Sequence, residues 1–317
     1  MGLDHTAHEG DAHNGQPPPR RRRWITTTVA VVPALVLLSG CSKDSDNAFL
    51  RLALPPAASD RTDAMFNLWL GGWIAGAVVF CLVVGLIFWS MIRYRRRSDD
   101  DLPPQMRYHL PIEVLYTVAP IIAVAVFFFH TVEAQNSMLD EVENPDHTIE
   151  VVGSKWQWTF NYLDEESTGG IPVFDYGTPS EFADLYLPLG ETVRFKLTSP
   201  DVIHSFWIPE FYFKMDVFPG KVNTFDLTPT REGVFTGRCA ELCGLYHSRM
   251  LFKVHIVSPE EYDAHMKQLQ RAGQIGTPDG GEEAMRVAGS DDQGNGAAQQ
   301  SESAQQSESA QQSGAAQ

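Results

Sequence analysis

Four metal ligands of soft or borderline character lie in one twelve-residue loop near the C-terminal end of the chain, namely Cys239, Cys243, His247 and Met250. Thiolate, imidazole and thioether groups together favour copper over the hard cations, and a single cysteine with histidine and a weak methionine is typical of a one-copper electron-transfer centre. This loop has two cysteines. Because each thiolate can bridge two metal ions, the pair predicts a binuclear copper centre that shares one electron and keeps nearly the same geometry when it is reduced.

A binuclear site needs a second imidazole, and His204 is the best candidate for it. This histidine follows Asp201 in the stretch Asp-Val-Ile-His-Ser, one predicted strand pair upstream of the loop. The alternative is a structural histidine on a strand. His255 is a contrasting case, because strand alternation places it on the same face as Lys253 and opposite its apolar neighbours. We therefore predict that His255 is exposed and is not a ligand.

The whole chain is acidic, with a formal net charge of −16 over 317 residues. This charge makes nucleic-acid binding a poor hypothesis and suits a basic soluble partner that is attracted over long range. Two of the four cysteines, Cys41 and Cys81, lie in apolar segments, so the sequence does not suggest a disulfide framework. A disulfide between Cys239 and Cys243 is the alternative to metal binding in an oxidising compartment.

The N-terminal region has the charged, apolar and small-residue parts of a secretory signal. Arg20 to Arg23 precede an uncharged stretch that ends in Leu38-Ser-Gly-Cys41. We predict that residues 1–40 are a signal peptide of the lipoprotein type, cleaved before a lipidated Cys41. The apolar run is short for a spanning helix of about 20 residues, although an uncleaved signal anchor is the alternative.

Two later segments predict membrane helices. Residues 41–66 are rich in Ser, Asp and Pro and are interpreted as a linker, and residues 67–92 form an uncharged run that is long enough to cross a bilayer. The basic loop 93–110 is predicted to be cytoplasmic, since Lys and Arg cluster on that side. A second helix, 111–131, then returns the chain to the outer face of a bacterial plasma membrane.

Short alternating segments separated by Gly, Pro, Asp and Ser predict a β-sandwich or barrel over residues 132–258. A short helix is expected at 259–273, where Ser258 can cap the helix and Pro suits its first turn. The acidic segment 164–184 is interpreted as a surface insertion. From residue 274 to 317 the composition falls to Gly, Ala, Gln, Ser and acids, which predicts a disordered tail.

The loop pattern Cys-x-Glu-x-Cys-Gly-x-x-His-x-x-Met, with the upstream Asp-Val-Ile-His-Ser, resembles the copper motif of cytochrome c oxidase subunit II over about residues 62–268. The resemblance implies a membrane-anchored all-β fold, in which two transmembrane helices precede a cupredoxin-like Greek-key sandwich. It implies that two copper ions are held by Cys239 and Cys243 as bridging thiolates, with the terminal or axial ligands His204, His247, Met250 and the backbone carbonyl of Glu241. The Glu241 carboxylate is implied to reach a magnesium or manganese ion shared with subunit I.

Two further residues take their roles from the same resemblance. Trp156 resembles the residue through which electrons reach copper, although Lys155 and Gln157 depart from the residues frequent in the family, and Trp158 is better explained as a core residue. Glu113 resembles a carboxylate at the mouth of a proton pathway into subunit I. A carboxylate that simply reaches the membrane interface is the alternative for Glu113.

The function implied is that of a respiratory oxidase subunit that takes electrons from a c-type cytochrome and passes them to haem in subunit I, for oxygen reduction coupled to proton translocation. Implied partners are subunits I and III, membrane lipids and the cytochrome. The donor must be a separate chain, because the sequence has no Cys-x-x-Cys-His haem motif. A cytochrome c domain of a bc complex, within a supercomplex, would suit the insertion and the extended ends.

Three other functions remain as alternatives. A membrane-tethered copper chaperone or thiol oxidoreductase would use the two cysteines, but it would be expected on an α/β pattern and would not need Glu241 or Met250. A quinol oxidase subunit of the same fold would lack the copper ligands. The copper domain of nitrous oxide reductase would bring a large repeat domain, and the sequence has no such repeat.

Overall fold

The computed structural model describes residues 41–96, 98, 105–178, 180–281 and 283–284. The predicted signal peptide, 1–40, lies outside the described residues, as does the tail from residue 285 onwards. Everything below concerns the described part of the chain.

Two long helices precede the β-domain. Helix α1 spans Thr62–Arg93 and helix α2 spans Leu110–Leu139, and both are long and apolar enough to cross a membrane. Most of their apolar side chains are exposed, as expected for surfaces that face lipid or other membrane helices. Pro111 stands in the first turn of α2, where its missing N–H costs no hydrogen bond. The predicted spans 67–92 and 111–131 lie inside these helices, which extend several residues further.

Ten described strands form two five-stranded sheets. The first sheet has the order β3-β2-β1-β5-β8 and the second has the order β4-β10-β9-β6-β7. The strands are β1 His147–Ser154, β2 Gln157–Leu163, β3 Val173–Tyr176, β4 Ala183–Pro188, β5 Val193–Thr198, β6 His204–Ile208, β7 Phe213–Val217, β8 Asn223–Leu227, β9 Gly233–Cys239 and β10 Leu251–Val257. The pairs β1–β5 and β4–β10 are parallel and the others are antiparallel.

An aromatic core joins the two sheets. The rings of Phe206 and Phe252 stack 5.0 Å apart, and Trp158 meets both of them edge-on. Phe195 continues this cluster toward the first sheet. Trp158 is fully buried, so its interpretation as a core residue is confirmed, and the predicted all-β sandwich after two membrane helices is confirmed as well.

The segment 164–184 is more than a surface insertion. It contains β3 and the start of β4, which extend the edges of both sheets, and it buries Val173 and Phe174 completely. The interpretation from charge was therefore wrong for this part of the chain, because Asp164 and Glu166 are exposed at the start of the segment while the apolar residues that follow fill the core edge.

Residues 41–66, interpreted as a linker, also make specific contacts with the sandwich. The Ala58 N–H donates to the carbonyl of Glu210, the Ala58 carbonyl accepts from Thr230, and the Tyr212 hydroxyl donates to the carbonyl of Pro55. Helix α1 itself begins within this range, at Thr62. Backbone groups of a Pro- and Ser-rich segment can thus be satisfied by the loops that follow β6 and β8, which composition alone does not reveal.

A short connector ties α2 to the β-domain. The Val142 N–H donates to the buried carboxylate of Asp226 (2.7 Å), and Arg194 donates both to the carbonyl of Val142 (2.6 Å) and to Asp226 (2.7 Å). Arg61, at the start of α1, donates to the backbone carbonyls of Ser137 and Asp140 at the end of α2. Both membrane helices are therefore anchored at the same end to the sandwich.

Helix α3, Pro259–Arg271, packs on the outside of the sandwich and begins as predicted, with the Ser258 hydroxyl accepting from the Glu261 N–H (3.3 Å). The chain after α3 differs from the prediction of a disordered tail starting at residue 274. Residues 274–281 are held by backbone contacts that start where the Gln274 carbonyl accepts from Phe174 (3.1 Å). A segment without an apolar side-chain pattern can still be fixed through its backbone.

A buried ionic cluster connects β1, the 164–184 segment and α3. His147 lies 2.9 Å from Glu165 and 2.8 Å from Glu191, and the Tyr262 hydroxyl donates to Glu165. Burial lowers the pKa of His147, but the two carboxylates outweigh this effect and raise that pKa to about 9. The imidazole is therefore protonated in the folded domain at neutral pH.

We expect Gly237→Ala to destabilise the sandwich by about 2 kcal/mol, because an added Cβ would lie 2.0 Å from the ring of the buried Phe252. The measurement is the urea midpoint of a soluble fragment covering residues 134–284, followed by tryptophan fluorescence. Thr236→Ala is the control, since that side chain is exposed, and its midpoint should barely move. Equal midpoints for the two variants would contradict the close approach of Gly237 to Phe252.

We expect the stability of the same fragment to depend on the charge of His147. Its pKa is raised above the value of about 6.5 in the unfolded chain, so the added stability is complete below pH 6.5 and is lost as the pH rises through about 9. The loss should be on the order of 3 kcal/mol. The free energy of unfolding at pH 6 and pH 10 measures it, and the variant His147→Gln should remove most of this pH dependence.

Candidate metal centre

Two neighbouring strands bring the predicted ligands together. His204 is the first residue of β6 and Cys239 is the last residue of β9, and these strands pair with Phe206 opposite Cys239. The loop 240–250 then leads into β10. It is closed by a hydrogen bond from the Cys239 N–H to the carbonyl of Met250 (3.0 Å) and is held to β6 by one from Ala240 to Ser205 (3.0 Å).

The side-chain donors converge inside this loop. The two sulfur atoms of Cys239 and Cys243 are 3.9 Å apart, too far for a disulfide bond, which requires about 2.05 Å. The Nδ1 atom of His204 lies 3.9 Å from the Cys239 sulfur, and the Nδ1 atom of His247 lies 3.6 Å from the Cys243 sulfur. The Met250 sulfur is 3.8 Å from that of Cys243. The five predicted side-chain ligands are thus linked by a chain of neighbouring pairs, from His204 through Cys239 to Cys243 and then to His247 and Met250.

Asp201 orients His204. Its carboxylate lies 2.9 Å from Nε2 of the imidazole, so Nδ1 is directed at the sulfur atoms. The same carboxylate accepts hydrogen bonds from the backbone N–H groups of Lys155 (2.7 Å) and Val202 (2.5 Å). Burial opposes its ionisation, but the hydrogen bonds from His204 and the backbone outweigh it and lower the pKa of Asp201 to about 2. A charged carboxylate behind a ligating imidazole is a common means of fixing its tautomer and its orientation.

The two thiols differ in acidity. Burial raises the pKa of Cys239, but hydrogen bonds from His204 and from the backbone outweigh it and lower that pKa to about 7. Burial and the neighbouring charge of Cys239 raise the pKa of Cys243 to about 12. One thiolate therefore forms readily, whereas the second proton leaves only when a cation compensates the charge. Two buried thiols of this kind suit a metal site better than an exposed redox dithiol.

The donor set fits copper. The ligating atoms of His204, Cys239 and Cys243 lie within 4.8 Å of one another, and all three residues are buried. Soft sulfur and imidazole nitrogen predominate, and no carboxylate lies among these donors, which disfavours magnesium, calcium and manganese at this position. The Glu241 carbonyl, which lies 3.2 Å from the Cys239 sulfur, adds one oxygen donor.

The side chain of Glu241 points away from the sulfur atoms. It is exposed and lines a cavity of about 510 Å³ between the loop, β7 and the outer end of α2. Asp216 and Lys214 line the same cavity, together with Gln135 of α2. Glu241 therefore offers a backbone oxygen to one site and a carboxylate to a second, more polar region.

Trp156 lies at the tip of the hairpin that joins β1 and β2. Ser154 pairs with Gln157, so the turn has only two residues. The indole is half-buried and meets the ring of Tyr246 edge-on, with centroids 4.9 Å apart. It also covers Gly244, where an added Cβ would lie 3.1 Å from the indole nitrogen. Tyr246 was not predicted as a site residue, although its place inside the ligand loop was an available signal.

The remaining candidates lie away from this cluster. Glu113 is in the first turn of α2 and accepts a hydrogen bond from the backbone N–H of His109 (2.9 Å), which is a local contact at the helix start. Cys41 is half-buried at the beginning of the described chain. The prediction that His255 is exposed was wrong, because Tyr186 stacks on its ring and Asp184 lies 2.8 Å from it. His255 is not among the ligands.

We expect Asp201→Asn to weaken metal binding by roughly 10- to 100-fold, because an amide holds the His204 tautomer and charge less firmly. The measurement is a copper titration of the soluble fragment against a competing chelator. Asp216→Asn is a suitable control, since that carboxylate lies on the cavity side of the loop. Equal affinity for the Asp201→Asn variant and the unaltered fragment would contradict the orienting role of Asp201.

A family model and a solved structure match the β-domain of this chain. The family model described as the periplasmic domain of cytochrome c oxidase subunit II matches residues 147–257, which contain both sheets and all six predicted ligands. The periplasmic domain of subunit II of cytochrome oxidase from Bradyrhizobium japonicum is a similar solved structure, at 27% identity over 41% of this chain and 98% of that chain, with a TM-score of 0.37.

Two curated relatives extend the similarity beyond the sandwich. A probable cytochrome c oxidase subunit 2 of Streptomyces avermitilis is 44% identical over 283 residues, which cover 78% of this chain and 88% of the relative. The cytochrome c oxidase subunit 2 of Mycobacterium bovis is 32% identical over 286 residues, which cover 74% and 78%. The chain belongs to the cytochrome c oxidase subunit II family.

Proposed function

We propose that this chain is the copper-bearing subunit of a bacterial respiratory oxidase, which accepts electrons from a c-type cytochrome and passes them to haem in subunit I. Oxygen is reduced there, with coupled proton translocation. The observation that carries the proposal is the convergence of two thiols, two imidazole Nδ1 atoms and one thioether, with neighbouring donors 3.6 to 3.9 Å apart. Membership in the family supports the partner, subunit I.

Cys239, Cys243, His204 and His247 would hold two copper ions, with Met250 and the Glu241 carbonyl as weaker ligands. Bound copper supplies a reversible one-electron carrier. The chain contributes a rigid and dry setting for it. Cys239, Cys243 and Met250 are at most 6% exposed, and Asp201 keeps the His204 ring fixed, so little rearrangement accompanies a change of charge.

Electrons would reach copper through Trp156. Its indole is half-buried at a hairpin tip and contacts the ligand loop at Gly244, which is next to Cys243. The exposed side chains of Leu242, Leu245 and Tyr246 surround this position and offer an apolar surface to a soluble donor. The net charge of the chain favours a basic donor, and a cytochrome c domain of a bc complex would meet the same requirement.

The other contacts of the oxidase are proposed on the membrane side. The Glu241 carboxylate and Asp216 face one cavity, which supports a magnesium or manganese ion shared with subunit I. The exposed apolar surfaces of α1 and α2 suit subunit I and lipids. Subunit III and a proton-pathway role for Glu113 are carried over from the family resemblance, and lipidation of Cys41 is carried over from the lipoprotein-type signal pattern that precedes it. The chain is membrane-anchored with a periplasmic domain.

The copper chaperone or thiol oxidoreductase alternative has less support. A thiol oxidoreductase needs an accessible sulfur, whereas Cys239 and Cys243 are 6% and 4% exposed, although the pKa of Cys239 is lowered to about 7. A chaperone that releases its metal would not require a third sulfur donor, Met250, and a charged carboxylate that locks one imidazole.

Electron paramagnetic resonance of the copper-loaded protein tests the proposal. A binuclear mixed-valence centre distributes one unpaired electron over two copper nuclei and should give seven hyperfine lines, with two copper ions per chain. Four lines from one copper, or a silent protein with one cuprous ion, would contradict the binuclear assignment and favour the chaperone.

Cys243→Ser is expected to abolish the seven-line spectrum, because a hydroxyl cannot replace a bridging thiolate. Copper content should fall to one ion or none. Cys81→Ser is a matched control, since this cysteine lies in α1, far along the chain from the ligand loop, and its spectrum should equal that of the unaltered protein. A normal two-copper spectrum for Cys243→Ser would show that Cys243 does not bridge.

Trp156→Phe is expected to slow the reduction of copper by a reduced c-type cytochrome at least tenfold, with the copper spectrum retained, because the indole would be the aromatic group between the donor and the site. Stopped-flow spectroscopy measures this rate. Trp207→Phe is the control, because Trp207 lines a different cavity, between α1 and the sandwich. An unchanged rate for Trp156→Phe would remove that residue from the electron path.

A further inference from the structure

The segment that follows α3 runs along the first sheet, past β3 and β2, and reaches the hairpin that carries Trp156. The Gly276 N–H donates to the carbonyl of Pro172 (2.9 Å), and the Asn161 side chain then donates to the carbonyl of Pro278 (3.2 Å). Pro278, Gly280 and Gly281 are buried. We call residues 278–281 the strap. It lies beyond the part of the chain that matches the family model, residues 147–257.

The strap touches both turns that frame the metal centre. At the hairpin, the Gly281 N–H donates to the Ser154 hydroxyl (3.3 Å). The same N–H also donates to the side-chain oxygen of Gln157 (3.2 Å), in the amide orientation in which the Gln157 nitrogen donates to the Gly177 carbonyl. At the second turn, an added Cβ on Gly280 would lie 3.5 Å from Pro200. The strap is therefore hydrogen-bonded to the hairpin, and its Gly280 lies near the turn that carries Asp201.

These two turns are also linked directly to the site. The Lys155 N–H donates to the Asp201 carboxylate (2.7 Å), and that carboxylate holds His204. Ser154 and Gln157 immediately flank the two-residue tip of Lys155 and Trp156. The hairpin tip is thus held through Lys155 to Asp201 and through its flanking residues to the strap.

Gly281 is required by this arrangement. An added Cβ at this position would overlap the side-chain amide of Gln157, whose Cδ atom would lie 2.0 Å from it. Gln157 is buried and cannot move outward without displacing either the strap or the hairpin. The sequence Pro-Asp-Gly-Gly looked like part of a low-complexity tail. Its glycines instead allow the backbone to pass close to Ser154 and Gln157, the neighbours of the hairpin tip.

We propose that the strap is a positioning element for electron transfer, which holds Trp156 against the ligand loop by fixing Ser154 and Gln157. This inference rests on the proposed function of Trp156. Without the strap, the hairpin tip keeps its contacts with Gly244, Tyr246 and Asp201, but Ser154 and Gln157 lose their hydrogen bonds to Gly281. Because electron transfer falls steeply with distance, a looser tip slows the reduction of copper while the copper ligands, which the strap does not touch, stay in place.

Two shortened chains, each purified within the oxidase complex, test the strap. One ends at Thr277 and lacks it, and the other ends at Ala284 and keeps it. Reduction of copper by a reduced c-type cytochrome should be at least fivefold slower in the complex whose chain ends at Thr277, with equal copper content and the same paramagnetic resonance spectrum. Amide hydrogen exchange at residues 154–157 should be at least tenfold faster.

Gly281→Ala tests the same idea in the full-length chain. It should slow copper reduction about threefold and should raise exchange at residues 154–157, because the added methyl group displaces Gln157 or the strap. Thr277→Ala is the matched control, since its side chain is exposed, and it should change neither quantity. This variant pair gives an answer even when the chain ending at Thr277 does not assemble.

The two proposals fail in different ways. Unchanged exchange at residues 154–157 in the chain ending at Thr277, or in the Gly281→Ala variant, overturns the strap. Faster exchange with an unchanged rate of copper reduction also overturns its positioning role, and so does loss of copper. If reduced cytochrome does not reduce copper in the unaltered complex, the proposed function fails, and the exchange measurement still decides whether the strap holds the hairpin.

Discussion

The metal centre depends on the pairing of β6 with β9. Phe206 lies opposite Cys239 in this pair, and its ring is buried among Trp158, Phe195 and Phe252. A shift of register by one residue would turn Phe206 out of the core and carry His204 and Cys239 away from each other. The aromatic core therefore stabilises the one register in which an imidazole and a thiol separated by 35 residues come into contact.

Charge around the site is arranged in layers. Imidazole nitrogens, the Met250 thioether and backbone groups lie next to the two thiols, and the Asp201 carboxylate stands behind His204, where backbone N–H groups hold it ionised. The acidic side chain of Glu241 points to the other side of the loop. Buried charges are costly unless they are paired or hydrogen-bonded. The Asp201 carboxylate, which is hydrogen-bonded, is close enough to orient His204, yet no carboxylate oxygen lies among the described sulfur and nitrogen donors.

The copper loop was predictable because four of its ligands lie within one short stretch and have chemically distinctive side chains. His204 lies far from the loop in sequence, so predicting it as a ligand required the expected strand pairing and the stretch Asp-Val-Ile-His-Ser that begins at Asp201. The contacts of residues 55–60 and the strap were missed because these segments are held mainly by backbone hydrogen bonds or by close backbone approach, and neither leaves a periodic pattern of apolar side chains. The edge strand β3 was missed because the charged start of its segment drew attention away from the buried apolar pair Val173 and Phe174. Composition therefore suggested a linker, an insertion and a disordered tail.

The anchoring of both membrane helices has a consequence for assembly. Arg61 links the start of α1 to the end of α2, and Asp226 with Arg194 fixes the connector that follows. The sandwich therefore cannot swing freely above the bilayer, and the depth at which the helices settle sets the height of the copper ligands over any haem in the membrane. A change in the hydrophobic length of either helix would therefore change the distance over which an electron tunnels from copper to haem, although the change lies far from every metal ligand.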